Sequence, residues 1–188
     1  MGEGETSSPS DDGSEHTIDG KYFDLEMHIV NLNLDESTKD MFMAAVIGIL
    51  FNVDENAEPS FADHFFQSLM EDEKLMDFQT DFMDHLDFSQ RYVYRGSLTT
   101  PPFSESLFWT VLAEPISITP ETAELFKERQ PEGGVFGASN RAIQPLNRRN
   151  VYKVAISQND QEYTTDMGLL RKVKGELINL INGLMNDN

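Results

Sequence analysis

Apolar and polar side chains alternate from Tyr22 to Asn33. Phe23, Leu25, Met27 and Ile29 fall on one face, and Asp24, Glu26, His28 and Val30 on the other. A period of two predicts a strand. The run from Met43 to Phe51 is apolar throughout and carries an internal glycine. It predicts a strand buried on both faces, with a close backbone approach at Gly48. From Ala62 to Met70 the spacing turns helical, with Phe65, Leu69 and Met70 marking one short amphipathic helix. Leu107 to Leu112 is apolar, aromatic and β-branched and is followed by Pro115, which predicts another strand. Thr119-Pro120-Glu121 has the order of a helix start: a capping threonine, proline at the first helical position, an acid in the first turn. That helix runs to about Glu128 and gives way to a Pro131-Glu132-Gly133-Gly134 loop. Val151 to Ile156 predicts a last strand. The stripe Leu169, Leu170, Val173, Leu177, Leu180, Ile181 and Leu184 predicts a helix over 166–187, packed on its own domain or bound to a partner.

Ahead of Leu107 stands Tyr94-Arg95-Gly96-Ser97-Leu98-Thr99-Thr100-Pro101-Pro102. Gly96 is expected to free the backbone, while Pro101 and Pro102 fix φ and push Thr100 toward an extended geometry. Thr99 and Thr100 then sit at a stiff corner with their hydroxyls held in place. On pattern alone this is a structural turn before a core strand, or the wall of a site that presents a hydroxyl accurately.

Composition leaves this picture intact: 188 residues, 39% hydrophobic and 10% aromatic, are one domain or most of one, with enough apolar surface for a core. Charge narrows the partners. Thirty-three acidic residues against 14 basic ones give a formal charge of -19, which repels nucleic acid and anionic membranes. The absence of cysteine removes disulfides and thiolate metal sites and favours a reducing, cytoplasmic compartment. No apolar run is long enough to span a bilayer, and Met1 to Ser14 lacks the apolar core of a secretory signal.

Two stretches carry candidate chemistry. Glu26 and His28, two apart on a strand, point the same way with α-carbons about 6–7 Å apart. That geometry suits a carboxylate orienting an imidazole whose other nitrogen binds a metal, although Glu-x-His alone more often marks a structural histidine. Glu15 beside His16 is an acid–base pair or an ordinary surface loop. His64 and His85 sit in no ligand spacing and read as surface or structural groups.

The wording of these stretches resembles the α-class carbonic anhydrases. Gly-Ser-Leu-Thr-Thr-Pro-Pro at 96–102, continuing through Trp109, Val111-Leu112 and Glu114-Pro115-Ile116, is similar to that family's signature. Gly13 to Lys21, Glu26-Met27-His28-Ile29-Val30, the 43–51 run and Asn140-Arg141-Ala142-Ile143-Gln144-Pro145-Leu146-Asn147 resemble family segments in the same order. Asn31-Leu32-Asn33 departs from the family's His-Trp-Asn.

The resemblance implies a mostly β fold with peripheral helices, built on a large twisted, mainly antiparallel central sheet that is incomplete at its N-terminal part. It implies a domain over 13–156, a loop over 1–12, and a linker with the amphipathic helix over 157–188. The implied reaction is reversible hydration of carbon dioxide to bicarbonate, with zinc as cofactor. By resemblance His28 is a zinc ligand supported by Glu26, Thr99 orients the nucleophile, and Glu15 accepts a hydrogen bond from Thr99. Val30, Val46, Leu98, Thr100, Leu107 and Trp109 surround the substrate. The family strand with the His-x-His pair, which supplies the other two zinc ligands, has no counterpart in Met1 to Asp12. His16 is not expected to complete the metal shell. The chain as written is therefore expected to be inactive or weakly active. The alternative is a non-catalytic relative kept for interaction, through the C-terminal helix or an exposed sheet edge.

Overall fold

The alternating stretch after Tyr22 forms β1 (Leu25–Leu32), and the uninterrupted apolar run forms β2 (Ala44–Val53). These come from a computed structural model that describes residues 13–34, 41–71, 77–128 and 140–155. After β2 come α1 (Phe61–Glu71), α2 (Phe78–Asp81) and a 3-10 turn over Met83–His85. Then follow β3 (Gln90–Ser97), β4 (Glu105–Leu112), β5 (Ile116–Ile118), α3 (Pro120–Glu128) and β6 (Tyr152–Ala155). One compact unit spans 1–154; a second begins at Ala155, and the helix expected over 166–187 lies outside the described residues.

The strands make one mixed sheet in the order β1-β2-β4-β3-β6, with β5 also paired to β2. β1 and β2 are antiparallel, as are β3 and β4, while β2 runs parallel to both β4 and β5. Ala44 to Gly48 pair with β4 and Phe51 to Val53 with β5. β2 therefore has neighbours on both sides and both faces covered, which is why it contains no charged residue.

On one face, Phe51 meets α1 through Phe66, their rings 5.5 Å apart, and a cluster of Phe61, Phe65, Phe66, Phe78 and Phe82 extends from there. Fully burying a ring such as Phe51, Phe65, Phe66 or Phe82 contributes about 1.5–3 kcal/mol. The opposite face carries Phe23, Ala44, Val46, Leu50, Leu107, Trp109 and Val111, with Tyr92, Tyr94 and Leu98 packed against them.

β3 has no announced pattern, because Gln90, Arg91, Tyr92, Val93, Tyr94 and Arg95 mix charge with aromatic rings. It is a strand because β4 pairs with it residue by residue from Arg91↔Leu112 to Gly96↔Leu107. Buried Arg91 donates to the Phe88 carbonyl at 2.7 Å. The role expected of Gly96 also changes. Its φ is not positive, and a Cβ there would stand 2.8 Å from the Tyr94 ring and 3.0 Å from the Trp109 ring. The glycine makes room for two aromatic side chains rather than freeing the backbone.

The helix starts follow their sequence signals. Thr119 caps α3, its hydroxyl accepting from the Thr122 N–H at 3.4 Å. Ser60 and Asp63 cap α1 reciprocally. Asp63 is fully buried and also accepts from the Thr119 N–H and hydroxyl at 2.8 and 2.9 Å, tying the two helix starts together.

Candidate functional site

Glu26 organises the site. The residues from Ser14 to Lys21 form a small hairpin, turned at Asp19-Gly20, where both φ angles are positive. Ser14 fastens this hairpin to Phe23 just before β1, donating its N–H to the Phe23 carbonyl and accepting the Phe23 N–H on its hydroxyl. The hairpin thus lies over β1, and its backbone N–H groups at Glu15 and His16 both donate to Glu26 Oε2 at 2.8 Å. The other oxygen, Oε1, is 2.5 Å from His16 Nδ1 and 2.7 Å from His28 Nε2. Burial opposes ionisation of this carboxyl, but the bonds from His16 and His28 more than offset it and hold the pKa down at about 2.

An ionised carboxylate only accepts, so both ring nitrogens facing it carry hydrogen. In neutral His16, Nε2 is then the acceptor, and it takes the Tyr94 hydroxyl at 2.6 Å. Burial pushes the Tyr94 phenol up, beyond the range of biological pH. In neutral His28 the open lone pair is on Nδ1, which faces Glu15 Oε2 at 3.9 Å. Both imidazoles pack against Trp109, with centroids 4.8 and 4.7 Å from its ring. Gly48, opposite His28 in the register, permits this: a Cβ there would stand 3.2 Å from Glu26 Oε1.

Glu15, Glu26, His28 and Trp109 thus come together. Trp109 is buried and donates its indole N–H to the Ser97 carbonyl at 3.1 Å. Val30 pairs with Val46, and Val46 with Trp109, along one row of the sheet. Val30 is half exposed, whereas Val46 and Leu107 are buried and Leu98 partly so. Thr100 is exposed at the corner. Thr99 borders the same cavity as Glu15, yet the expected hydrogen bond between them is absent. Glu15 Oε1 instead accepts the Arg141 backbone N–H at 2.7 Å, and the Arg141 guanidinium holds Ser97 Oγ and the Leu98 carbonyl at 3.2 and 3.3 Å. The returning segment at Arg141 therefore stands between the carboxylate and the threonine corner.

Sequence reasoning passed over His16 and Tyr94 as site members, and Arg141 beyond its motif. Their partners are 10, 78 and 126 residues away, so no local spacing marks them. His64 is exposed on α1, and exposed His85 stacks on Phe61 at 5.0 Å.

As a metal site the donor set is partial. Ligand atoms of His16, Glu26 and His28 lie within 4.8 Å of one another. Both His16 nitrogens and Glu26 Oε1 are engaged with each other or with Tyr94, which leaves His28 Nδ1 as the open imidazole donor, with the Glu15 carboxylate beside it. A zinc site needs three or four protein donors, and these residues alone do not fit one.

Residues 4–155 match the family model for eukaryotic-type carbonic anhydrase. The chain is 32% identical over 142 residues to a carbonic anhydrase of Nostoc sp., covering 73% of this chain and 49% of that protein. It is 31% identical over 166 residues to carbonic anhydrase 6 of Bos taurus, covering 81% and 52%. A halotolerant carbonic anhydrase from Dunaliella salina superposes with a TM-score of 0.62 at 31% identity, covering 77% of this chain and 57% of that one. The chain spans about half the length of these curated relatives.

Proposed function

The chain belongs to the eukaryotic-type carbonic anhydrase family, and from that premise we propose that it carries part of a zinc-dependent site for the reversible hydration of carbon dioxide to bicarbonate. His28 would offer Nδ1 to the metal, and Glu26 fixes the ring and its tautomer through Nε2. The chemistry that zinc would supply, in a site completed by further donors, is a bound water of near-neutral pKa as nucleophile. The Thr99 hydroxyl would orient that water, while Glu15, which borders the same cavity, is held by the Arg141 N–H instead of by Thr99. Val30, Val46, Leu98 and Leu107 form the apolar wall, Thr100 stands at its rim and Trp109 packs behind.

The observation that carries the reading is the Glu26–His28 pair. An ionised carboxylate 2.7 Å from Nε2 leaves the opposite nitrogen with its lone pair free. Two further imidazoles must come from a strand beyond the described residues, in this protein or in another chain. A second reading, a non-catalytic relative that works by interaction, is favoured by the single open imidazole nitrogen.

Zinc titration separates the two. The 188-residue chain is expected to bind zinc weakly. Joining it to a strand with a His-x-His pair should raise the affinity by several orders of magnitude, and His28→Ala should remove that gain. Tight one-to-one binding by the chain alone, or indifference to His28→Ala, would contradict the ligand assignment.

A further inference from the structure

A cavity of about 450 Å³ opens between the sheet and the segment 141–151. Of the residues assigned above to the carbon dioxide site, only Glu15 and Thr99 border it. Its volume is that of sites for small organic molecules, far more than a triatomic gas requires. The inner wall is apolar, with Tyr92 and buried Val111 from the sheet, and Leu146 lines it from the returning segment.

The cavity lining sets Arg141 and Arg149 against Glu15 and Asp19, with the positive charge concentrated on the returning segment. The Arg149 guanidinium lies over the Tyr94 ring, 5.6 Å from its centroid, and the Lys153 ammonium lies over the Tyr92 ring at 5.6 Å. From Gly133 to Asn159 the chain holds Arg141, Arg148, Arg149 and Lys153 and not one acid, within a protein whose formal charge is -19. Such a local reversal of sign gathers anions where the rest of the surface repels them.

Arg149 is also fixed in place. Its Nε donates to the Leu146 carbonyl and one terminal nitrogen to the Pro145 carbonyl, both at 3.0 Å. The other terminal nitrogen has no partner among the described residues. Two acids touch the cavity, Glu15 and Asp19. The first is occupied by the Arg141 N–H, and together they disfavour a dianion such as a phosphate ester while tolerating a single negative charge.

We propose that this cavity binds a small organic monocarboxylate, its apolar body against Tyr92, Val111 and Leu146 and its carboxylate on the free end of Arg149. The inference stands apart from the carbon dioxide reading, because neither Arg149 nor the apolar wall takes part in it.

Benzoate is the test probe, benzamide its neutral counterpart and benzylamine its cationic one, each titrated into the full chain. Ligand-observed NMR and the fluorescence of Trp109 report binding. Trp109 is the only tryptophan, and its ring is 6.2 Å from that of Tyr94 and within 7° of parallel to it. Benzoate is expected to bind at least about tenfold more tightly than benzamide, since a charge-assisted bond to guanidinium is lost in the amide, and benzylamine not to bind. Arg149→Gln should bring benzoate down to the level of benzamide. Leu146→Trp should fill the cavity and weaken both, and His28→Ala should leave benzoate binding unchanged. Equal affinity for benzoate and benzamide, full benzoate binding in Arg149→Gln, loss of binding in His28→Ala, or no benzoate binding at all would overturn the proposal.

Discussion

Glu26 and Asp63 are the two carboxylates that hold this molecule together, one in the site and one between helices. Each side chain is buried, and each accepts four hydrogen bonds that join local groups to groups distant in the chain. For Asp63 burial opposes ionisation, and the bonds from Thr122, Thr119 and Ser60 outweigh it, so the pKa falls from 3.8 to about 2. A carboxyl whose pKa is lower in the folded than in the unfolded state stabilises the fold above the unfolded value. It loses that contribution as pH falls through the folded value. The shift corresponds to about 2 kcal/mol, lost between about pH 4 and pH 2. Urea unfolding at several pH values should find that slope in the parent chain, and Asp63→Asn should lower stability at pH 7 while flattening the slope. An unchanged pH profile in Asp63→Asn would count against this role. At this scale the sequence was readable wherever a partner lies within one local period, as with Glu26 and His28 on a strand or Thr119 and Thr122 at a helix start. His16, Tyr94 and Arg141 were not readable, because tertiary folding, not a spacing, brings His16 to Glu26, Tyr94 to His16 and Arg141 to Glu15.

Among the strands of eight or more residues, β1 is the most exposed. Asn33 donates to the Met43 carbonyl at 2.9 Å, in register with the β1–β2 ladder, which sets the phase of that ladder. Odd-numbered residues of β1 then bond to β2, while Glu26, His28, Val30 and Leu32 direct their N–H and C=O groups outward. Among the described residues no strand pairs with that edge. Val30 and Leu32, 50% and 67% exposed, add apolar surface beside it. An edge of eight residues with unpaired groups recruits other strands. Native-state hydrogen exchange should find the amides of Glu26, His28, Val30 and Leu32 far less protected than those of β4. Addition of a His-x-His strand should protect them. Protection equal to that of β4 in the chain alone would mean that the edge is already covered. β1, β2 and β4 were legible because burial on one or both faces writes itself into hydrophobic order. β3 was not, since its buried positions include an arginine and its partly buried ones tyrosines, and pairing with its sheet neighbours makes it a strand.

At the scale of the whole molecule, charge and topology point in different directions, and topology governs the function. The formal charge of -19 repels polyanions on average without naming a substrate. Family membership is shown, and the reaction proposed from it rests on how Glu15, Glu26, His28 and Thr99 are arranged on one face of a mixed sheet. The chain spans about half the length of its curated relatives, and in the proposed function that arrangement is one part of a catalytic centre. The central claim is that this half supplies one oriented imidazole and the hydroxyl corner, and that activity requires the rest. Stopped-flow measurement of carbon dioxide hydration, on the chain alone and on the chain joined to a His-x-His strand in the presence of zinc, tests it most directly. The account predicts background rates for the chain alone and zinc-dependent hydration for the joined protein. It also predicts that Thr99→Ala lowers that hydration by on the order of a hundredfold and that His28→Ala lowers it to background. Robust zinc-dependent hydration by the chain alone, or full activity of the joined protein without His28, would contradict it.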